Sequence, residues 1–272
     1  MPVTDTPNVS AKPSPPLFRR FDRYGELNRY DLLKVIALVT MVIDHLGFYF
    51  WYDSLWMRAI GRMAFPLFLF LVGYSKSWTI HYDLLCCAIF LIALSAVTHH
   101  AIFPLNILVT IIFTRMLMEW ITATTLSSKK LWLIFIVCAV LVSRTMVLVD
   151  YGALAILFAL CGYLHREKPA SNLTIVYIES TLLLEGVLEY TTFKFHGLTT
   201  YIMIIVLVID MILMNTFKIG ALKVQAWPVS LRCIVQWLSR NTLVLYTLHI
   251  AVFMVITRVF GHHAGLAHFR WR

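Results

Sequence analysis

Long apolar runs separated by short polar turns recur along nearly the whole chain. The runs are continuous rather than alternating, so they read as membrane-spanning helices and not as barrel strands. The pattern predicts spans at about 31–52, 57–76, 83–98, 102–120, 173–190, 199–217 and 242–260. Leu131–Ser143 is short for a crossing that needs about 20 residues, and it reaches that length only if it continues to Val149. Asp150 and Gly152 then mark a turn into a helix ending near Leu164. The fold class is thus all-α, a polytopic transmembrane bundle of about nine spans, eight to ten. VSLRCIVQWLSR (229–240) is too short to cross and reads as an interfacial helix, with Asn241 placed to cap the last span. Residues 1–18 form a Pro/Ser/Thr tail, 19–30 a basic aromatic interfacial segment, 31–260 a single transmembrane domain, and 261–272 a C-terminal tail. No apolar stretch precedes Arg20, which excludes a cleavable secretory signal.

Composition agrees. The 272 residues are 60% hydrophobic and only 14% charged, with a mean hydropathy of +0.78, whereas a soluble domain has about a quarter of its residues charged. The net charge of +9 does not point to nucleic acid, because Lys and Arg sit mainly between the apolar runs, where anionic lipids are their partners. With the N-terminus cytoplasmic, inside segments carry roughly twice the Lys and Arg of outside ones, the orientation the positive-inside rule favours. Cys86, Cys87, Cys138, Cys161 and Cys233 show no metal-ligand spacing and read as buried apolar residues; no metal is expected. Neither an internal repeat nor a matched pair of broken spans is visible, which weighs against an inverted-repeat transporter.

The candidate chemistry is concentrated in Arg29–Ser75, two apolar helices that nonetheless carry Lys34, Asp44, His45, Arg58 and Arg62. Each charge at bilayer depth costs about 2.5–3.5 kcal/mol on insertion scales, so such residues mark function more often than packing. Lys34 and His45 are eleven residues apart, about three turns plus 20°, and share one helix face at a separation of about 16 Å. An anionic cofactor entering from the cytoplasm could be held by Lys34 while its reactive end reaches His45; Lys34 alone also fits a lysine snorkelling to the interface. Asp44 lies about 100° round the helix from His45, so it is expected to meet an arginine of the second span. Arg58 and Arg62 are spaced i,i+4 on one face there, and Pro66 removes the amide that would bond the Arg62 carbonyl, which predicts a kink. His249 sits near the middle of the last span, one turn after Tyr246. His99 and His100 read as interfacial, Asp150 as a turn cap, and Arg115–Glu119 as a self-neutralising i,i+4 pair. Glu179, Glu185 and Glu189 lie along one span and could line a polar cavity, Glu185 foremost.

Three blocks, DLLKVIALVTMVIDH (31–45), GRMAFPLFLFLVG (61–73) and NTLVLYTLHIAVF (241–253), resemble the TraX family of conjugative pilin acetylases. More distantly they are similar to the membrane acyltransferase-three superfamily, in which an Arg or Lys, ten residues and a His open the first helix and a Tyr-x-x-His closes a late one. Lys34 and His45 match the first pattern, Tyr246 and His249 the second. Lys34 stands where that superfamily usually has Arg, which removes bidentate phosphate recognition at this position. The resemblance implies an enzyme of the bacterial inner membrane that takes acetyl from acetyl-CoA. The implied acceptor is the N-terminal amine of a pilin, or a glycan or glycolipid hydroxyl. The catalytic residues would be His45, Asp44, Arg62 and His249, with Lys34, Arg58 and Tyr246 binding the acyl donor. His45 suits a base or an acetylated nucleophile, and Arg62 or Arg58 the cation facing a developing oxyanion. Two readings of another class remain: a proton-coupled transporter using Lys34, Asp44 and His45 as a relay, or a structural membrane subunit.

Overall fold

A computed structural model describes residues 27–51, 54–124, 126–169, 171–220 and 227–261. The expected tail 1–18, most of the segment 19–30 and nearly all of 261–272 lie outside the described residues. Eleven helices are described: α1 Arg29–Tyr49, α2 Leu55–Gly61, α3 Ala64–Tyr74, α4 Tyr82–Val97, α5 Ile107–Thr122, α6 Ser128–Thr145, α7 Leu154–Glu167, α8 Asn172–Phe193, α9 Leu198–Thr216, α10 Val229–Arg240 and α11 Thr242–Gly261. Among the described residues, four stretches are long and apolar enough to cross a membrane: Arg29–Tyr49, Leu55–Tyr74, Leu198–Thr216 and Thr242–Phe260. The outer helices turn Ile89, Phe90, Trp120, Val140, Leu183, Leu198, Tyr201 and Val244 outward, each more than about two-fifths exposed. An apolar surface of that extent suits lipid rather than water.

The helices begin where the local chemistry directs. Asn28 and Asp31 form a reciprocal capping box at α1: the Asp31 amide donates to Asn28 Oδ1 at 2.8 Å, and the Asn28 amide to Asp31 Oδ2 at 3.3 Å. Arg29 and Tyr30 therefore belong to the first helix rather than to a preceding interfacial segment. Asn106, Ser127 and Ser171 cap α5, α6 and α8. Asn241 stands immediately before α11, and its carbonyl accepts from the Leu245 amide at 2.9 Å. Only this residue separates α10 from α11, and its side-chain amide also donates back to the Trp237 carbonyl at 2.8 Å, closing α10. Residues 102–106, placed in the fourth span by hydropathy, are a connection, and α5 starts at Ile107.

The centre of the molecule is the crossing of α3 and α7, both buried almost throughout. Gly73 and Gly162 let the two backbones touch: a Cβ built on Gly73 would lie 1.7 Å from the Ala159 carbonyl oxygen, and one on Gly162 1.9 Å from that of Phe70. Small residues at such a crossing are the usual device for close helix contact in membranes. One apolar cluster surrounds this crossing with side chains of α5, α6, α8 and α9, while a second joins α1, α4, α5 and α11. The α1–α2 hairpin lies between them.

Candidate functional site

The expected interruption before Pro66 is present. Helix α2 ends at Gly61, and Arg62–Met63 forms a turn before α3. Gly61 is required at this corner, since a Cβ there would sit 2.2 Å from the Cβ of Asp44. The close approach delivers Asp44 to both arginines. Arg58 Nη1 donates to Asp44 Oδ2 at 2.8 Å and to the Asp44 carbonyl at 3.2 Å, and Arg62 Nη2 is 3.4 Å from Oδ1. Arg62 Nη1 also reaches Tyr151 Oη at 3.1 Å and Glu189 Oε1 at 3.3 Å. The ring of Phe193 lies under both cations, 4.7 Å from Arg62 and 5.3 Å from Arg58. Asp44, Arg62 and Glu189 are all buried.

Tyr151 reaches the cluster from the α6–α7 turn, which Leu105 pins by accepting from the Asp150 amide and donating to the Leu148 carbonyl, each at 2.9 Å. Its ring stacks on Phe65 at 3.6 Å. Asp150, in the same turn, is half-buried, and burial pushes its carboxyl up to about 7 against the opposing pull of Arg62.

The two predicted histidines meet. His45 Nδ1 lies 2.9 Å from His249 Nε2, across the α1–α11 interface, with Tyr246 buried beside them at a ring distance of 6.2 Å from His45. Partner chemistry fixes the protons. His249 Nδ1 is 2.8 Å from the Leu245 carbonyl, which can only accept, so that nitrogen carries hydrogen. In the neutral ring His249 Nε2 is then an acceptor, and His45 Nδ1 donates to it. The lone pair of His45 is left on Nε2, the arrangement of an oriented base. His100 stands nearby in the α4–α5 connection, bonded to Thr98 at 2.8 Å and Thr257 at 3.3 Å; burial, with Arg258 adding to it, holds its imidazole below the ordinary histidine range.

Lys34 lies three turns down α1, its ammonium 5.1 Å over the ring of Tyr30. Arg115 does not pair with Glu119. Its Nη1 donates to the Thr79 carbonyl at 2.8 Å, and the side chain comes within electrostatic reach of Lys34 and Tyr30. The anion near them is Asp31, already occupied by the α1 cap and by Ser239 Oγ at 2.7 Å. Among the described residues, this end of α1 therefore carries an excess of positive charge. The buried indole nitrogen of Trp78 next to Thr79 is a further donor without a partner among the described residues.

The sequence reading underrated three residues. Glu189, not Glu185, makes the ion pair with Arg62. Tyr151 and Asp210 were passed over. Asp210 was detectable as a lone acid in the most apolar of the four spans, where it is fully buried.

A family model described as TraX protein matches residues 29–257. An uncharacterised protein of Rickettsia prowazekii (strain Madrid E) is 24% identical over 239 residues, 85% of this chain and 93% of that protein. Protein TraX of Escherichia coli is 43% identical over 51 residues, 19% of this chain and 21% of its own length, and the protein of that name from strain K12 matches over the same extent. No solved structure matches.

Proposed function

The chain belongs to the TraX family, and we propose on that premise that it is an acetyltransferase of the bacterial inner membrane. It crosses that membrane about nine times with its N-terminus in the cytoplasm, and it moves acetyl from acetyl-CoA to the N-terminal amine of a pilin. The observation that carries the reading is the His45–His249 contact, whose hydrogen-bond chain leaves a base at His45 Nε2.

In this mechanism the amine nitrogen attacks the thioester carbonyl as His45 Nε2 takes its proton. The charge that appears on His45 is shared with His249 through the Nδ1–Nε2 bond, and the Leu245 carbonyl steadies the second ring. Arg58 makes both of its hydrogen bonds to Asp44 through Nη1, so its remaining guanidinium nitrogens face the developing oxyanion. Collapse of the tetrahedral intermediate breaks the C–S bond, and the CoA thiolate takes the proton from His45. Asp44 and Arg62 hold Arg58 in place, and Tyr246 walls the imidazole pair.

The donor's phosphates suit the cationic end of α1, where Lys34 and Arg115 have too little negative charge beside them. Lys34 acts there as a point charge, and Arg115 adds a planar donor. The track from Lys34 to His45, about 16 Å, leaves room for an extended pantetheine arm.

The test is transfer of labelled acetyl from acetyl-CoA by the purified protein. His45→Ala is expected to abolish it while gel filtration and circular dichroism stay unchanged; activity surviving in that variant overturns the reading. Intact mass of pilin from cells with and without the gene identifies the acceptor. An acetyl shift supports the amine, and its absence alongside active transfer moves the acceptor to a hydroxyl.

A further inference from the structure

Beyond the histidines and the Asp44 cluster, two acids make no ion pair among the described residues. Glu185 on α8 and Asp210 on α9 are both 0% exposed, and all four carboxyl oxygens lack a hydrogen-bond partner. The two helices pack closely here, since a Cβ on Gly186 would meet Leu207 at 2.7 Å. Each acid lies within electrostatic reach of the other, and Glu185 also of Glu189 and Arg62.

Charge counting decides what these carboxyls can be. Arg58 and Arg62 supply two positive charges, and Asp44 and Glu189 two negative ones, all joined by contacts of 2.8–3.4 Å. That cluster is already neutral. Asp150, in the adjoining turn, adds another acid to the region and no cation. Helix α7 contributes Cys161, whose thiol is 3.5 Å from Thr181 Oγ1, one turn before Glu185. An isolated carboxylate in such surroundings is far costlier than a neutral acid, which only needs a hydrogen-bond partner.

A second observation points the same way. Arg62 is 6% exposed, and its Nε is a buried donor without a partner, while Glu189 Oε2 is a buried acceptor without one. An orphaned donor and several orphaned acceptors therefore share one enclosed region, the composition that holds protons and one or two bridging waters.

We propose that Glu185 and Asp210 form a buried proton-binding site whose occupancy sets the charge facing the Arg62–Glu189 pair. With protons bound, the carboxyls are neutral and Arg62 stays on Asp44 and Glu189. Loss of a proton puts a further negative charge against Arg62 and competes with Asp44 for it. The site needs no acyl transfer to exist, so its test is independent of the function proposed above.

The test is infrared spectroscopy of the purified protein in detergent at neutral pH. A carbonyl stretch of protonated carboxylic acid is expected, shifting on exchange into heavy water and lost in Glu185→Gln/Asp210→Asn. Amides mimic neutral acids in shape, so this variant is expected to melt within a few degrees of wild type. An unchanged carbonyl region in the double variant overturns the proposal. So does a wild-type melting temperature raised by Na⁺ or Ca²⁺ when that of the double variant is not, which would make the pair an ionised cation site. A second measurement on the wild-type protein needs no variant. Dicyclohexylcarbodiimide enters apolar regions and adds to protonated carboxyls: the acid proton moves to a carbodiimide nitrogen, the carboxyl oxygen bonds the central carbon, and the acyl group then shifts to nitrogen with nothing lost. Peptide mass mapping is expected to find the adduct on Glu185 or Asp210 and not on Glu189. An adduct on Glu189 alone, or on none of the three, also overturns it.

Discussion

Replacing Asp44 by Asn removes one of the two anions that Arg58 and Arg62 share while preserving shape and the backbone carbonyl. Removing one partner of a buried ion pair costs about 3–5 kcal/mol, because the surviving charge stays desolvated. The structure divides that cost unequally. Arg62 keeps Glu189 at 3.3 Å, whereas both Arg58 hydrogen bonds go to Asp44, so Arg58 loses its one ion pair and keeps only the 3.2 Å bond to the carbonyl and a neutral amide. The loss should therefore fall mainly on Arg58. Two double-mutant cycles read it, Asp44→Asn with Arg58→Met and Asp44→Asn with Arg62→Met, followed by chemical unfolding in mixed micelles. Coupling of about 1–3 kcal/mol is expected for Arg58, and a smaller value, still above about 0.5 kcal/mol, for Arg62. Additivity within about 0.3–0.5 kcal/mol in both cycles would refute the reasoning, and so would a larger coupling for Arg62.

Gly73→Ala and Gly162→Ala should each destabilise by at least the 1–3 kcal/mol usual for overpacking, since the new methyl meets backbone carbonyls rather than side chains; normal melting temperatures would contradict this. His249→Phe keeps a ring of similar size but removes the acceptor for His45 Nδ1, so kcat for acetyl transfer should fall about 10²–10⁴-fold, the usual contribution of an oriented base, with KM for acetyl-CoA little changed. Arg115→Ala should do the reverse, raising KM for acetyl-CoA with kcat nearly intact, and a pure kcat effect would remove it from the donor site. The Asp150 carboxyl, pushed up to about 7 by burial, favours the folded state most when protonated. Its contribution is fully present below about pH 4, the usual aspartate range, and is lost as pH rises through about 7; Asp150→Asn should flatten that part of the stability profile.

The opening hairpin was the most legible part of the molecule because its information is local. The common face of Lys34 and His45 and the stop before Pro66 follow from helix geometry and a missing amide, and α1 and the Arg62–Met63 turn show both. What failed was choosing between local and distant partners. Arg115 and Glu119 satisfy the i,i+4 rule, yet the Thr79 carbonyl takes the guanidinium, because a surface pair worth a few tenths of a kcal/mol yields to a tertiary contact. Glu185 and Glu189 are one turn apart, and periodicity cannot say which one meets Arg62. The packing of α8 against α7 and α9 decides it, by setting which carboxylate its last turns bring to the arginines.

The two polar groups of the hairpin are adjacent in sequence but face different neighbours, and this separation constrains the chemistry. Helix α1 presents Asp44 to α2 and, about 100° further round, His45 to α11. The carboxylate that would orient and charge-balance the imidazole in a serine-protease arrangement is thus turned away and taken up by two arginines. Orientation of His45 falls instead to a neutral ring, His249, held by a backbone carbonyl that no side-chain substitution at Leu245 removes. A base oriented this way gains direction without the raised basicity a carboxylate partner confers. It also keeps two compensated guanidinium charges about 100° round the same helix turn, within electrostatic reach of the imidazole. Asp44 therefore acts on the reaction through the position of Arg58 and the packing at Gly61, so its loss should reach stability before it reaches the proton-transfer step.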